Sequence, residues 1–212
     1  MKTCSQLPLL ANRRRAVQSI AGAATLTLIS FFLPGCSPDK PQFKSVDLTG
    51  ADYASGFSLG DQNGQTRTLK DFSGKIVVVF FGYTQCPDVC PTTMTELAQV
   101  KKLLGPDGDK LQAVFITVDP ERDTPELLKA YMGNFEPSFV ALRPTLAELP
   151  ALAKDFKVFY KKAEGKTPGS YSMDHSAGSY IFDAKGRIRL YTRYGSGAEN
   201  LVSDIRLLLN NS

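Results

Sequence analysis

From Lys75 to Phe81 the chain reads Lys-Ile-Val-Val-Val-Phe-Phe, and this run does most to limit the possible folds. It is too short and too apolar for a surface helix. It also lacks the polar alternation of a half-wetted strand, so it predicts a strand buried on both faces. Such a strand needs paired neighbours and a covering layer on each side. The sequence supplies both. Leu111 to Val118 predicts a second buried strand, and Phe139 to Leu142 a short third. Between the first two, Pro91 to Leu104 puts Met94, Leu97, Val100 and Leu104 on one side of a helix. Thr124-Pro125-Glu126 opens another helix, with Thr as cap and Pro in the first turn, running to about Phe135. Thr145 with Glu148 three residues on opens a third, bent or delayed by Pro150.

The remaining elements are shorter. A turn at Asp61-Gln62-Asn63-Gly64 separates Phe57-Ser58-Leu59 from Thr66-Arg67-Thr68-Leu69 and predicts a hairpin. Val158 to Lys162 reads as a strand leading into a polar loop, Glu164 to Ser170. Gly178 to Phe182 and Arg187 to Arg193 flank the turn Asp183-Ala184-Lys185-Gly186. Glu199 to Leu209 closes the chain as a helix with Leu201, Ile205 and Leu208 on one face. This order predicts an α/β fold of thioredoxin type, a mixed central sheet with helices on both faces.

Charge excludes one class of function. The formal net charge is +4, and the excess comes from Lys2, Arg13, Arg14 and Arg15, since no acidic residue precedes Cys36. The remainder is balanced, so no basic surface for nucleic acid is expected. The leader itself is a basic segment, an uncharged apolar stretch from Ile20 to Leu33, and Pro34-Gly35-Cys36, which is the secretory pattern. Leu33-Pro34-Gly35-Cys36 resembles a bacterial lipoprotein signal, making Cys36 the expected lipidation site. The alternative is an uncleaved membrane anchor, since Ala16 to Leu33 nearly spans a bilayer as a helix. Both readings place the domain outside the cytoplasmic membrane. The expected organisation is therefore a leader over residues 1–36, a tether over 37–55 and the domain over 56–212.

Cys4 falls in the leader and Cys36 at the lipid, which leaves Cys86 and Cys90 for the domain. They lie in Cys86-Pro87-Asp88-Val89-Cys90-Pro91, between the first buried strand and its helix. A thiol at a helix start is expected to ionise more readily, and thiolate is both nucleophile and metal ligand. Three intervening residues leave room for an ion between the sulfurs, although a disulfide can also close there. His175, the only histidine, is expected in the loop entering the strand at Gly178, which in this fold faces the helix start. Two soft thiolates and one imidazole suit Cu(I), and such a set also holds Cu(II), whereas structural Zn²⁺ asks for four ligands. Met173 reads as packing rather than as a further ligand. Asp119 and Arg122 read as a strand-end Asp-Pro turn with solvated charges, ahead of a role in tuning the metal.

Three blocks carry a family resemblance. They are Phe80-Phe81-Gly82-Tyr83-Thr84-Gln85-Cys86-Pro87-Asp88-Val89-Cys90-Pro91, then Ile116-Thr117-Val118-Asp119-Pro120-Glu121-Arg122-Asp123-Thr124-Pro125, then Tyr171 to Ser176. Together they resemble the SCO/SenC family of copper chaperones. The resemblance implies copper ligation by Cys86, Cys90 and His175. It also implies a membrane anchor, a copper donor upstream, and delivery to the dinuclear centre of cytochrome c oxidase subunit II. Ser37 stands where Asp would mark inner-membrane retention of a lipoprotein. Besides a purely structural disulfide, two rivals use the same cysteines. A thiol-disulfide reductase would exchange through a mixed disulfide. A peroxiredoxin-type peroxidase would need Thr where Pro87 stands.

Overall fold

Ile76–Gly82 forms strand β4, and all seven of its residues are buried. It pairs in parallel with β5, Leu111–Thr117, which is buried throughout as well. Side chains alternate across a sheet, so burial at every position means that both faces are covered. The computed structural model describes residues 41–211. Its strands are β1 (Val46–Asp47), β2 (Ser58–Asp61), β3 (Thr66–Thr68), β4, β5, β6 (Val140–Arg143), β7 (Tyr160–Glu164), β8 (Tyr171–His175), β9 (Ser179–Phe182) and β10 (Ile188–Thr192). The helices are α1 (Val89–Leu103), α2 (Pro125–Gly133), α3 (Leu149–Asp155) and α4 (Ala198–Asn210).

Eight strands form one mixed sheet in the order β1-β10-β9-β4-β5-β6-β2-β3, and β7 and β8 form a separate antiparallel ribbon. β5 and β6 are parallel, while β9 runs antiparallel to β4. This is the expected thioredoxin-like α/β arrangement. Met94, Leu97 and Val100 of α1 are buried, as are Leu201, Ile205 and Leu208 of α4, and the two helices pack together. Each such side chain contributes about 1.5–3 kcal/mol on full burial. Thr124 caps α2 by accepting the Leu127 N–H at 3.2 Å. Glu148 accepts the Thr145 N–H at 2.8 Å, and Thr145 Oγ1 accepts the Glu148 N–H at 3.2 Å, so the two residues cap each other ahead of α3. The 183–186 turn closes with Gly186 donating to the Asp183 carbonyl at 2.8 Å, with a φ of +73° that favours glycine.

The predicted hairpin forms, with Ser58 opposite Thr68, and it joins the sheet beyond β6. One expectation changes. The stretch from residue 41 to 55, expected to belong to a tether, packs on the domain. Val46 pairs with Tyr191, Ala54 is buried, and the Lys44 and Ser45 amides donate to the buried Asp204 carboxylate at 2.7 and 2.8 Å. Few long side chains made this segment look solvated, yet its backbone donors are what the carboxylate needs. The leader, Cys4, Cys36 and the first tether residues lie outside the described residues.

Candidate metal centre

The parallel pair β4–β5 ends at Gly82 and Thr117, and the site is built on the loops that follow. Residues 83–88 carry the chain from β4 into α1. This loop is fastened by Asp123, which is fully buried beyond β5. The Asp123 carboxylate accepts the Thr84 N–H at 3.1 Å and the hydroxyls of Thr84 and Thr117. Burial pushes its pKa up, against the lowering effect of those donors. Cys86 then closes a turn by donating its N–H to the Tyr83 carbonyl at 3.2 Å.

Cys90 is the second residue of α1, inside the helix rather than at its cap, and is fully buried. Its Sγ reaches that depth because residue 82 has no side chain. A Cβ there would meet Cys90 Sγ, a Phe115 ring carbon and a Phe80 ring carbon, each at 2.8 Å. Cys86 is half-buried, and its Sγ accepts the Cys90 N–H at 3.4 Å. Both thiols are free. The expected easy ionisation does not hold at Cys90. Burial, followed by the hydrogen bond with Cys86, pushes its thiol pKa well up, so desolvation outweighs the helix start and the sulfur keeps its proton.

His175 ends β8, on the ribbon, where the sequence had indicated a loop. Tyr171, Met173 and His175 alternate with Ser172 and Asp174, a short strand signal masked by the adjoining polar loop. The imidazole Nε2 lies 3.4 Å from Cys90 Sγ. Nδ1 lies 2.9 Å from the Ser176 carbonyl, which can only accept, so Nδ1 carries the proton and Nε2 presents its lone pair to the sulfur. Phe80 and Tyr83 pack near-perpendicular to the imidazole at centroid distances of 6.0 and 5.8 Å. Burial lowers the His175 pKa and keeps the ring neutral. One ligand atom each from Cys86, Cys90 and His175 all lie within 4.8 Å of one another, the only such potential metal-binding group among the described residues. Met173 is buried in the core.

Asp119 and Arg122 are not a solvated turn. Asp119 is 1% exposed and accepts the Tyr171 hydroxyl at 2.9 Å and the Arg122 Nε. Beside that carboxylate, burial raises the Tyr171 phenol to about 12. The structural importance of Asp123 and Gly82 was not legible beyond their presence in the motif blocks. A buried Asp in a polar segment looks like any loop Asp until its three donors are known.

A thioredoxin-like α/β domain with two thiols and a neutral imidazole converging at the C-terminal edge of its parallel strands defines the class. The chain belongs to the SCO1/SenC family, whose model matches residues 46–210. A SCO2-like protein of Rickettsia felis is 34% identical over 154 residues, which cover 71% of this chain and 75% of that one. The structure of Bradyrhizobium japonicum ScoI, solved with copper bound, superposes with a TM-score of 0.66 at 40% identity, covering 72% of this chain and 97% of that one. A SCO1/SenC family lipoprotein from Bacillus anthracis has a TM-score of 0.62 at 26% identity, with 72% and 92% covered.

Proposed function

We propose that Cys86, Cys90 and His175 together bind one copper ion, Cu(I) or Cu(II), and that the chain carries it from a donor protein to the dinuclear copper site of cytochrome c oxidase subunit II. The observation that carries the binding is the approach of the three ligand atoms within 4.8 Å, with the imidazole lone pair already turned to a sulfur. Two sulfurs and one nitrogen form a soft donor set that suits copper and falls short of a closed zinc site. Support comes from the copper-bound ScoI relative. The client is the one that the family resemblance implies.

The unequal burial of the three side chains supports one direction of transfer. Cys90 is buried, and Cys86 and His175 are half-buried. An acceptor thiol therefore meets the ion at the Cys86 edge, and Cys90 is the last ligand to let go. The apo site stores no negative charge at Cys90, so loading displaces a proton from that sulfur. The leader pattern and the lipoprotein relative support attachment through Cys36 and a periplasmic or other extracytoplasmic location. Among the described residues no helix is long and apolar enough to cross a membrane.

A second reading is favoured by one contact. The half-buried Cys86 Sγ accepts the Cys90 N–H at 3.4 Å, which holds the more accessible sulfur at the helix start, where it can attack a partner's disulfide. Anaerobic copper titration of the Pro41–Ser212 unit separates the readings. Carriage predicts one copper per chain and binding crippled in each of Cys86→Ser, Cys90→Ser and His175→Ala. Reduction alone predicts undiminished copper behaviour and intact thiol exchange in His175→Ala.

A further inference from the structure

The ribbon that carries His175 shares no ladder with the eight-stranded sheet. A two-stranded hairpin is marginal alone in water, so contacts from outside the ribbon, together with its short link to β9, set where the imidazole stands relative to the sulfurs. The densest anchor is the guanidinium of Arg122. Its Nε donates to the buried Asp119 at the end of β5. Its Nη1 donates to Gln85 Oε1 at 3.1 Å and to the Tyr171 carbonyl at 2.8 Å. Its carbon lies 3.6 Å from the centroid of the Tyr171 ring, whose hydroxyl returns to Asp119 at 2.9 Å.

These contacts join three separate elements. Gln85 immediately precedes Cys86, and Tyr171 begins the strand that His175 ends. One planar cation thus grips the cysteine loop and the far end of the histidine strand while fixed to the sheet. A strand rises about 3.3 Å per residue, so the grip at Tyr171 acts on His175 from roughly 13 Å away. We infer that Arg122 is a positioning residue for the metal centre. It touches no ligand atom, and it holds the histidine ribbon and the cysteine loop at the separation the third ligand requires. The metal half of this inference rests on the copper reading above. The half concerning the ribbon does not.

Arg122→Lys is the informative variant, because it keeps a cation beside Asp119. An ammonium cannot stack flat on Tyr171 while donating in a fixed fork to Gln85 and the Tyr171 carbonyl. In the metal-free full chain, amide exchange in β8 is expected to be about tenfold faster or more, with β4 and β5 unchanged. On adding Cu(II), the nitrogen hyperfine signal of the imidazole is expected to be lost from the electron paramagnetic resonance spectrum while copper stays with the chain. Arg122→Gln is expected to do the same, and if it fails to fold, Arg122→Lys alone decides. Wild-type exchange in β8 overturns the inference, and so does a retained nitrogen signal. Equal acceleration in β4 and β5 also overturns it, since that would mark a general loss of stability. Should the wild-type chain take up no copper, the copper reading fails by itself, and the exchange comparison still decides the role of Arg122.

Discussion

At Cys90 two influences oppose each other, and burial wins. The helix start and the neighbouring amides favour thiolate, but the side chain is fully buried and its thiol pKa is pushed up. On the copper reading, loading therefore displaces the Cys90 proton. Affinity should rise by about tenfold per pH unit for that proton alone as pH increases through neutrality. His175 adds no slope there, because its pKa is lowered and the ring is already neutral. Competition with a chelator at several pH values checks this, and a flat profile contradicts it. Gly82 is the companion prediction. Gly82→Ala places a methyl 2.8 Å from Cys90 Sγ and two aromatic carbons, so it should cost about 1–3 kcal/mol in urea unfolding and weaken copper binding. The three side chains that converge, Cys86, Cys90 and His175, were legible in the sequence because Cys and His are scarce and chemically distinctive. Gly82 was not, since its role lies in what a missing atom leaves room for, and only packing shows that.

Among the elements, strands and helices were legible wherever one period ran long enough. The buried run of β4, the apolar face of α1 and the caps at Thr124 and Thr145 each carry their own local signal. β8 carries only five residues of alternation, and its place over the cysteine loop depends on distant partners. The loop after β4 is held in the same non-local way, by Asp123 from beyond β5. Asp123→Ala leaves the Thr84 N–H and two hydroxyls without their acceptor. It should cost about 3 kcal/mol in chemical unfolding, as unsatisfied buried donors do. Alkylation of Cys90 by a small reagent should accelerate with it, because the loop that covers the thiol loosens. Unchanged alkylation would mean that Asp123 supports the sheet end and not the site.

For the whole molecule, the fold class followed from the succession of elements, while sheet order and the domain boundary did not. Placing the β2–β3 hairpin beyond β6, and β1 on β10, needs pairings between residues 80 or more positions apart. No local pattern encodes them. The sharpest consequence concerns residues 41–55. A chain beginning at residue 56 loses β1 and both amides that satisfy Asp204. It should be less stable by about 3 kcal/mol or more than one beginning at residue 41, as paired urea titrations would reveal. Equal midpoints would restore the view of this segment as a plain tether. X-ray absorption at the copper edge of the loaded chain shows whether two sulfurs and one imidazole surround the ion. The expected spectrum has sulfur and nitrogen neighbours in a two-to-one ratio, with the nitrogen lost in His175→Ala. A wild-type spectrum with sulfur neighbours alone, or a nitrogen that survives that substitution, would contradict it.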